Sequence, residues 1–281
     1  MASVERSTTR SRSWSAWAGS REELLKIGAE LEKLYEQRRQ AILAEYDRET
    51  DRIVKECLDS EDEILAQVRN ERRQGDRVNY ESRWQFTVTL SDGPEEVTGP
   101  VREVFQEFDR RTHTKVTFSG AAGPVDKERD RVKVEFEKAH PEAVFLHVRS
   151  TDPGWARQVM SKMSDEIGMG SPWWAFLYTP LGRSLYRGIS WSVIYFSLYS
   201  LFSPIFPSKE DPAFNQVVGI VALLLGALLL AWAVNNRRSL NWMLPSFEVT
   251  DGGQPTGTRF LLYIAGLALA FAAGIIVNRI S

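Results

Sequence analysis

The chain has 281 residues, a formal net charge of −2, and a composition of 43% hydrophobic and 26% charged residues, as in many soluble proteins. The charge is segregated, because residues 1–182 carry 28 Lys/Arg and 33 Asp/Glu, whereas residues 183–281 carry only 7 and 4. The acidic balance of the first part excludes a general nucleic-acid footprint. The single cysteine, Cys57, excludes an intramolecular disulfide framework and a thiolate zinc cluster.

Residues 1–20 are rich in serine, threonine and arginine and contain no apolar core of a cleavable signal peptide. This composition predicts a disordered basic arm. The alternative is that the arginines contact anionic lipid while Trp14 and Trp17 insert at the membrane interface. Without a signal peptide, the water-facing part is expected to stay in the cytoplasm.

One long amphipathic helix is predicted over residues 21–76, and Ser20 with Glu23 fits a capping box at its start. Its apolar residues recur at alternating spacings of seven and four. That eleven-residue period keeps a narrow stripe nearly straight along a helix of roughly 50 residues, about 75 Å long. The coiled-coil stripe consists of Leu24, Leu31, Tyr35, Ile42, Tyr46, Ile53, Cys57, Ile64 and Val68.

A stripe this narrow must be covered by a second copy, by the following domain or by another protein. Self-association is the commonest use of a long regular stripe, so a homo-oligomer or a helical protein partner is expected. Cys57 lies on the stripe, where a small packing residue is a better interpretation than a reactive thiol.

Residues 80–168 predict a small cytosolic α+β domain with the order β-α-β-β-β-α. Alternating apolar and polar residues indicate half-buried strands, and Pro100 and Pro153 suit the first turns of two helices. The natural packing is a four-stranded, largely antiparallel sheet with two helices on one face. The predicted strands begin near Trp84, Lys115, Arg131 and Ala143.

Three stretches with uncharged cores predict transmembrane helices over residues 188–207, 213–236 and 259–278, the last of which begins at Arg259. The second contains VVGIVALLLGALLLAWAV, eighteen residues with no strongly polar side chain. Residues 169–187 form an aromatic interfacial junction, and residues 239–258 form a cytosolic loop. The predicted interfacial anchors are Trp173, Trp174, Arg183, Arg187, Arg237 and Arg238.

The basic residues near the span ends predict the orientation. With the N-terminus in the cytoplasm, five fall on the cytoplasmic side and only Lys209 and Arg279 fall outside. We therefore expect an integral membrane protein whose N-terminus and soluble domain are cytoplasmic and whose C-terminus lies on the opposite side. The five inner residues are Arg183, Arg187, Arg237, Arg238 and Arg259.

Small residues at four-residue spacing predict close packing between the second and third spans. They are Ala222, Gly226, Gly266, Ala270 and Gly274.

The first span is richer in serine, and three of its serines share one helical arc. A bundle interface is a better interpretation of this arc than a pore lining. No Asp, Glu, Lys, Arg or His lies inside the span cores, the only charged residue being Arg259 at the start of the third span, which argues against a proton- or ion-coupled transporter. The three serines are Ser190, Ser197 and Ser200.

No familiar catalytic motif occurs in the water-facing part: it has no P-loop, dinucleotide-binding glycine fingerprint, HExxH or GxSxG. His147 is the best single candidate base, although a lone strand histidine is more often structural. We therefore expect no enzyme activity, no cofactor, no metal and no catalytic residue, and the sequence does not identify a small-molecule ligand.

The sequence thus predicts an α+β membrane protein with a long N-terminal helix of eleven-residue repeats, a small sheet domain and a C-terminal bundle of three transmembrane helices. The corresponding function is a membrane-anchored adaptor or sensor-effector that binds protein and lipid bilayer. Two alternatives stay open: an oligomeric pore-forming effector using the serine-rich first span, and a membrane-tethered enzyme with an unfamiliar site.

Overall fold

The computed structural model describes residues 7–59, 63–109, 113–122, 130–138, 142–185, 187–188, 191–192, 195, 240–241, 244–250, 255–259, 262 and 266. These residues form two compact units. The first contains the described residues of 1–14, 19–137 and 144–170, and the second contains those of 15–18, 138–143 and 171–281.

The first unit has an α+β fold with a long N-terminal helix and a β-sheet, which confirms the predicted class. Its elements, in chain order, are β1 Thr8–Trp14, β2 Trp17–Ser20, α1 Arg21–Asp59, α2 Glu63–Ser82, β3 Gln85–Asp92, β4 Glu95–Gly99, α3 Val101–Val104, β5 Lys115–Ala122, β6 Asp130–Glu137, β7 Val144–Ser150 and α4 Pro153–Met169. Strand β2 runs into the second unit, where Trp17 and Ala18 lie.

The sheet has six strands in the order β1-β7-β6-β5-β3-β4, and every neighbouring pair is antiparallel. Two strands were not predicted. β4 pairs with β3 as a hairpin around Gly93, whose φ of 59° suits glycine. β1 pairs with β7 at the other edge, so the prediction of a disordered arm is wrong for residues 8–14.

Side chains alternate across the sheet, and one face holds the core. Along β6 every second residue is buried, from Asp130 to Phe136. The beginning of α1 packs on this face so closely that a Cβ on Gly28 would lie 2.4 Å from Cε1 of Phe118. The indole N–H of Trp155 on α4 donates to the carbonyl of Leu34 on α1 at 3.1 Å.

The predicted capping box at the start of α1 is confirmed. The backbone N–H of Ser20 donates to Oε2 of Glu23 at 2.6 Å, and the N–H of Glu23 donates to Oγ of Ser20 at 3.1 Å. The prediction of one continuous helix beyond this cap is wrong, because α2, Glu63–Ser82, folds back on α1, Arg21–Asp59, so that Arg73 contacts Thr50.

In the second unit, the aromatic residues before the first predicted span form a 3₁₀ helix, Trp173–Tyr178, and helix follows over residues 180–185. The second unit also contains strand β8, Phe247–Thr250, which pairs with β2. Its core consists of the buried side chains Ala16, Trp174, Leu177, Tyr178, Leu240 and Leu244.

No helix within the described residues is long and apolar enough to cross a membrane. The three predicted spans lie almost entirely outside those residues, which include only a few helical positions such as Trp191, Tyr195 and Gly266. The predicted anchors Arg237 and Arg238 also lie outside the described part. So do the three serines of the shared arc and the predicted packing residues other than Gly266, namely Ser190, Ser197, Ser200, Ala222, Gly226, Ala270 and Gly274.

Candidate functional site

Helices α1 and α2 form an antiparallel hairpin held by polar contacts. Nε of Arg73 donates to Oγ1 of Thr50 at 2.8 Å, and the guanidinium of Arg77 donates to both carboxylate oxygens of Asp47, at 2.6 and 3.2 Å. Nearer the tip, Nη1 of Arg69 lies 3.2 Å from the sulfur of Cys57, which is 3% exposed. These contacts place the arginine-rich side of α2 against α1.

The residues of the predicted coiled-coil stripe therefore have three different environments. Leu24, Leu31 and Tyr35 are buried in the first unit, at most 2% exposed. Ile42, Tyr46 and Ile53 are half-buried along the hairpin, and Cys57 is buried near its tip. Ile64 and Val68, in contrast, are 79% and 56% exposed.

A second stripe runs along the outer side of α2. At 3.6 residues per turn it lies opposite Ala66 and Arg73, which face α1. Three of its apolar side chains are between 56% and 79% exposed. Its spacing of four and three residues is that of the a and d positions of a coiled coil. This α2 stripe comprises Ile64, Val68, Glu71, Gly75, Val78 and Ser82.

Exposed large hydrophobic side chains are confined to two parts of the described chain. The first part is the hairpin, with the α2 stripe, Leu65 and Leu58. The second part runs from the end of α4 toward the first predicted span and also includes Leu262. Its members are Met169, Trp173, Phe176, Leu181, Leu185, Trp191, Tyr195 and Leu262.

Two predicted interfacial anchors differ in their surroundings. Trp173 is 50% exposed, whereas Trp174 is 1% exposed and donates its indole N–H to the carbonyl of Pro245 at 3.1 Å. A Cβ on Gly257 would lie 2.8 Å from the Trp174 ring. The prediction that Trp174 lies at the membrane interface is therefore wrong, because its ring fills the core of the second unit.

The second unit joins three separate segments of the chain. Tyr178 donates to Oδ1 of Asn241 at 3.3 Å and also to the carbonyl of Leu244. The N-terminal segment takes part as well: Oγ of Ser15 donates to the carbonyl of Ala175 at 2.9 Å, and the N–H of Trp17 donates to the carbonyl of Ser246 at 2.7 Å.

A buried charged cluster connects α1, the sheet and α4. Asp130 is 1% exposed. Its Oδ1 accepts hydrogen bonds from Oγ of Ser150 and from the N–H of Thr151, and its Oδ2 lies 3.5 Å from Nε of Arg38. Arg38 also pairs with Asp152 at 3.1 Å, and Asp152 caps α4 through the N–H groups that follow it. These contacts fix the positions of α1 and α4 on the sheet.

The face of the sheet away from the core carries a basic sheet patch, which we define as Arg131, Lys133, His147 and Arg149. His147 is half-buried and stacks on Phe145 with ring centroids 6.3 Å apart. Burial and then the neighbouring Arg131, Arg149 and Lys133 lower the pKa of His147 below its ordinary value. His147 is therefore mostly neutral at neutral pH.

No known protein family, curated protein or solved structure matches the chain. Within the described residues, no group of His, Cys, Asp and Glu is arranged to hold a metal ion. Among the described residues, the α2 stripe presents exposed apolar side chains, and the basic sheet patch groups four basic residues on one face of the sheet. The sequence contains the a/d spacing of the α2 stripe, but this spacing was not predicted. Ile64 and Val68 also belong to the eleven-residue period, and that period alone accounted for both residues.

Proposed function

We propose that this chain is a membrane-anchored adaptor whose helical hairpin binds a second copy of the chain. The observation that carries the proposal is the exposure of Ile64, Val68 and Val78 on the side of α2 that faces away from α1. Apolar side chains at a/d spacing are shielded from water when a second helix covers the stripe that contains them. A monomer would leave it in contact with water.

The sequence of the α2 stripe favours an identical, antiparallel partner. A two-fold interface uses the same surface on both subunits, so the stripe must be complementary to its own reversed copy. In the reversed pairing, Val68 of each copy lies opposite Val78 of the other, and Glu71 lies opposite Gly75. A Cβ placed on Gly75 would meet nothing within 4 Å, so the glycine leaves space for the facing side chain.

Membrane anchoring is supported first by the uncharged stretches of the sequence and second by the exposed apolar residues that lead into the first of them. Leu181, Leu185 and Trp191 are 78%, 58% and 66% exposed. An exposed apolar surface of this kind is unfavourable in water and is stabilised by contact with lipid acyl chains and the headgroup zone.

The proposed topology places both the N-terminus and the loop before the third span in the cytoplasm. The contacts of Tyr178 with Asn241 and of Trp17 with Ser246 support it, because they require these segments to share one side of the bilayer. Two crossings between Tyr178 and Asn241 meet that requirement. The basic residues near the span ends independently favour the cytoplasm for this side.

Heterologous cysteine crosslinking tests the pairing in membranes. In a Cys57→Ser background, one tagged chain carries Val68→Cys and a second, differently tagged chain carries Val78→Cys. We expect a crosslinked heterodimer when the two are co-expressed and little crosslinking when either is expressed alone, because equivalent positions are far apart in the antiparallel pair. Strong crosslinking of each variant with itself would contradict the antiparallel arrangement.

A charge substitution provides the second arm of the test. Val68→Asp should convert the full chain in detergent from a dimer to a monomer, as measured by light scattering. The matched control is Gln37→Asp, which adds the same charge at an exposed position of α1 outside the stripe and should leave the dimer intact. A monomeric wild-type chain at high concentration would overturn the proposal.

A further inference from the structure

The two edges of the sheet carry opposite charges. Strands β1 and β4 are the outermost strands of the described six-stranded sheet, and the outer edge of such a strand presents backbone N–H and C=O groups to a further strand. β1 carries Arg10 and Arg12, both exposed, and no acidic residue. β4 carries Glu95 and Glu96, both exposed, and no basic residue. One edge is therefore basic and the other is acidic.

Two carboxylates lie side by side near the acidic edge. Asp92 of β3 is paired with Glu95 of β4, and like charges directly opposite each other in an antiparallel pair are destabilising. A cation on a strand beyond β4 would offset this repulsion. The acidic edge is thus suited to a basic strand.

Pairing of like edges is unfavourable for the same reason. If β1 paired along its whole length with β1 of another copy, Arg10 of each copy would lie opposite Arg12 of the other. If β4 paired with β4, Glu95 and Glu96 of both copies would share one short edge. A pairing of β1 with β4 brings opposite charges together instead.

The strand directions also suit a pairing of β1 with β4. Every neighbouring pair in the sheet is antiparallel, so the two outermost of its six strands run in opposite directions. A copy that is moved along the sheet without being turned over places its β1 antiparallel to β4 of the first copy, with both core faces on the same side. Copies anchored in one membrane keep a common orientation, so this last requirement rests on the proposed anchoring.

The sides of the strands restrict the register. Arg12 lies opposite the buried Leu146, and Val97 lies opposite the buried Leu90. Even-numbered residues of β1 and odd-numbered residues of β4 therefore share the core face. Two registers pair all five residues of β4 with β1 and keep the core faces together, and only one of them places an arginine opposite a glutamate.

We propose that a second copy of the chain extends the sheet, with its β1 paired antiparallel to β4 in this register. Glu95 then lies opposite Arg12, and Glu96 lies opposite Ser11, whose hydroxyl can donate to the carboxylate. Pro100, which follows β4 and has no backbone N–H, ends the pairing.

The pairing joins two different edges, so it is heterologous and repeats as an open chain or a ring of copies. Five residue pairs form a small interface. We therefore expect this interface to be weak in dilute detergent and to form at the high local concentration of a membrane. The inference goes beyond the α2 stripe, which joins only two copies, because the sheet edges connect such pairs into a larger assembly.

Crosslinking between two differently tagged chains in membranes tests the register. The register places Thr9 of one copy opposite Thr98 of the next. In a Cys57→Ser background, chains with Thr9→Cys and chains with Thr98→Cys should form a crosslinked heterodimer when they are co-expressed. Each variant alone should crosslink little. Absence of the heterodimer, or strong crosslinking of Thr9→Cys chains with each other, would refute the proposal.

A charge exchange tests the contact between the edges. Arg12→Glu in the Thr9→Cys chain should lower the crosslink yield about fivefold, because an attraction becomes a repulsion. Adding Glu95→Arg to the Thr98→Cys chain should restore the yield. The matched control is Lys55→Glu, the same reversal at an exposed position of α1, which should leave the yield unchanged. Equal yields with and without Arg12→Glu would count against the pairing.

Val68→Asp distinguishes the edge pairing from the α2 dimer. This substitution should leave the crosslink between positions 9 and 98 in place, because the sheet edges and the α2 stripe are separate surfaces. Conversely, Arg12→Glu should leave the crosslink between positions 68 and 78 in place. Loss of the edge crosslink in chains with Val68→Asp would show that it depends on the α2 dimer and would reject an independent edge interaction.

Discussion

Tyr178 donates a hydrogen bond to Asn241 although the two residues are 63 positions apart in the chain. The first two predicted spans lie between them. Two groups in contact share one side of a bilayer, so the proposed topology requires an even number of crossings between Tyr178 and Asn241. The two spans proposed between these residues meet that requirement.

Cysteine accessibility in intact cells checks this topology. In a Cys57→Ser background, Ser208→Cys and Ser281→Cys should react with a membrane-impermeant maleimide, because both positions are expected on the outer side. Ser171→Cys, which precedes the first span, should react only after permeabilisation. Labelling of Ser171→Cys in intact cells would contradict the proposed orientation.

Gly28→Ala should destabilise the chain despite the higher helix propensity of alanine. The new Cβ would lie 2.4 Å from Phe118, so either the ring or α1 must move. Overpacking of this kind costs about 1–3 kcal/mol of unfolding free energy, measurable by denaturant titration of the purified chain. Gly168→Ala is the control, since nothing lies within 4 Å of its Cβ position. It should be neutral or slightly stabilising.

Asp130→Ala should be among the most destabilising single substitutions in the first unit. It removes the acceptor for Ser150 and Thr151 and leaves the half-buried Arg38 without one of its two carboxylates. Loss of one partner from a buried ion pair costs about 3–5 kcal/mol. The comparison is Lys26→Gln, which removes the solvent-exposed lysine of the Lys26–Glu166 pair and should leave the melting temperature nearly unchanged. Equal effects would show that burial of Asp130 contributes nothing.

Stability should fall on acidification because of His147. Burial, Arg131, Arg149 and Lys133 lower its pKa in the folded state, so the unfolded chain binds the proton more readily. The stabilisation by neutral His147 is present above pH 6.5, the ordinary histidine pKa. This stabilisation is lost as the pH falls from 6.5 through the lower pKa of His147 in the folded state. The wild type should therefore lose more stability than His147→Gln over this range. Parallel pH profiles of the two proteins would argue against this assignment.

The sequence was most informative where a residue's local pattern and its tertiary environment agree. Val132, Val134 and Phe136 alternate with charged residues because one side of β6 is core and the other is not, and Pro153 occupies the first turn of α4. Both features were predicted correctly. Each depends only on nearest neighbours in the chain.

The errors arose where a distant partner decides the structure. Nothing in the acidic run from Asp59 to Glu63 resembles a helix terminator, so the periodicity continued across the reversal between α1 and α2. The polar strand Thr8–Trp14 has no alternation of apolar and polar residues that would predict a strand. It is a strand because it pairs with β7. Trp174 resembled an interfacial residue because the carbonyl that it contacts belongs to a loop 71 positions later.

The pairing of β1 with β7 has a consequence for biosynthesis. β1 is made before the other strands of this sheet and pairs with β7, the last of them to be made, so Thr8 must wait until Ser150 has been synthesised. At about 5–20 residues per second this delay is roughly 7–30 s. During that time β1 has no partner strand, and the completed sheet edge becomes available shortly before the apolar stretches emerge. We expect deletion of residues 8–14 to leave β7 as an unpaired edge and to favour aggregation of the nascent chain.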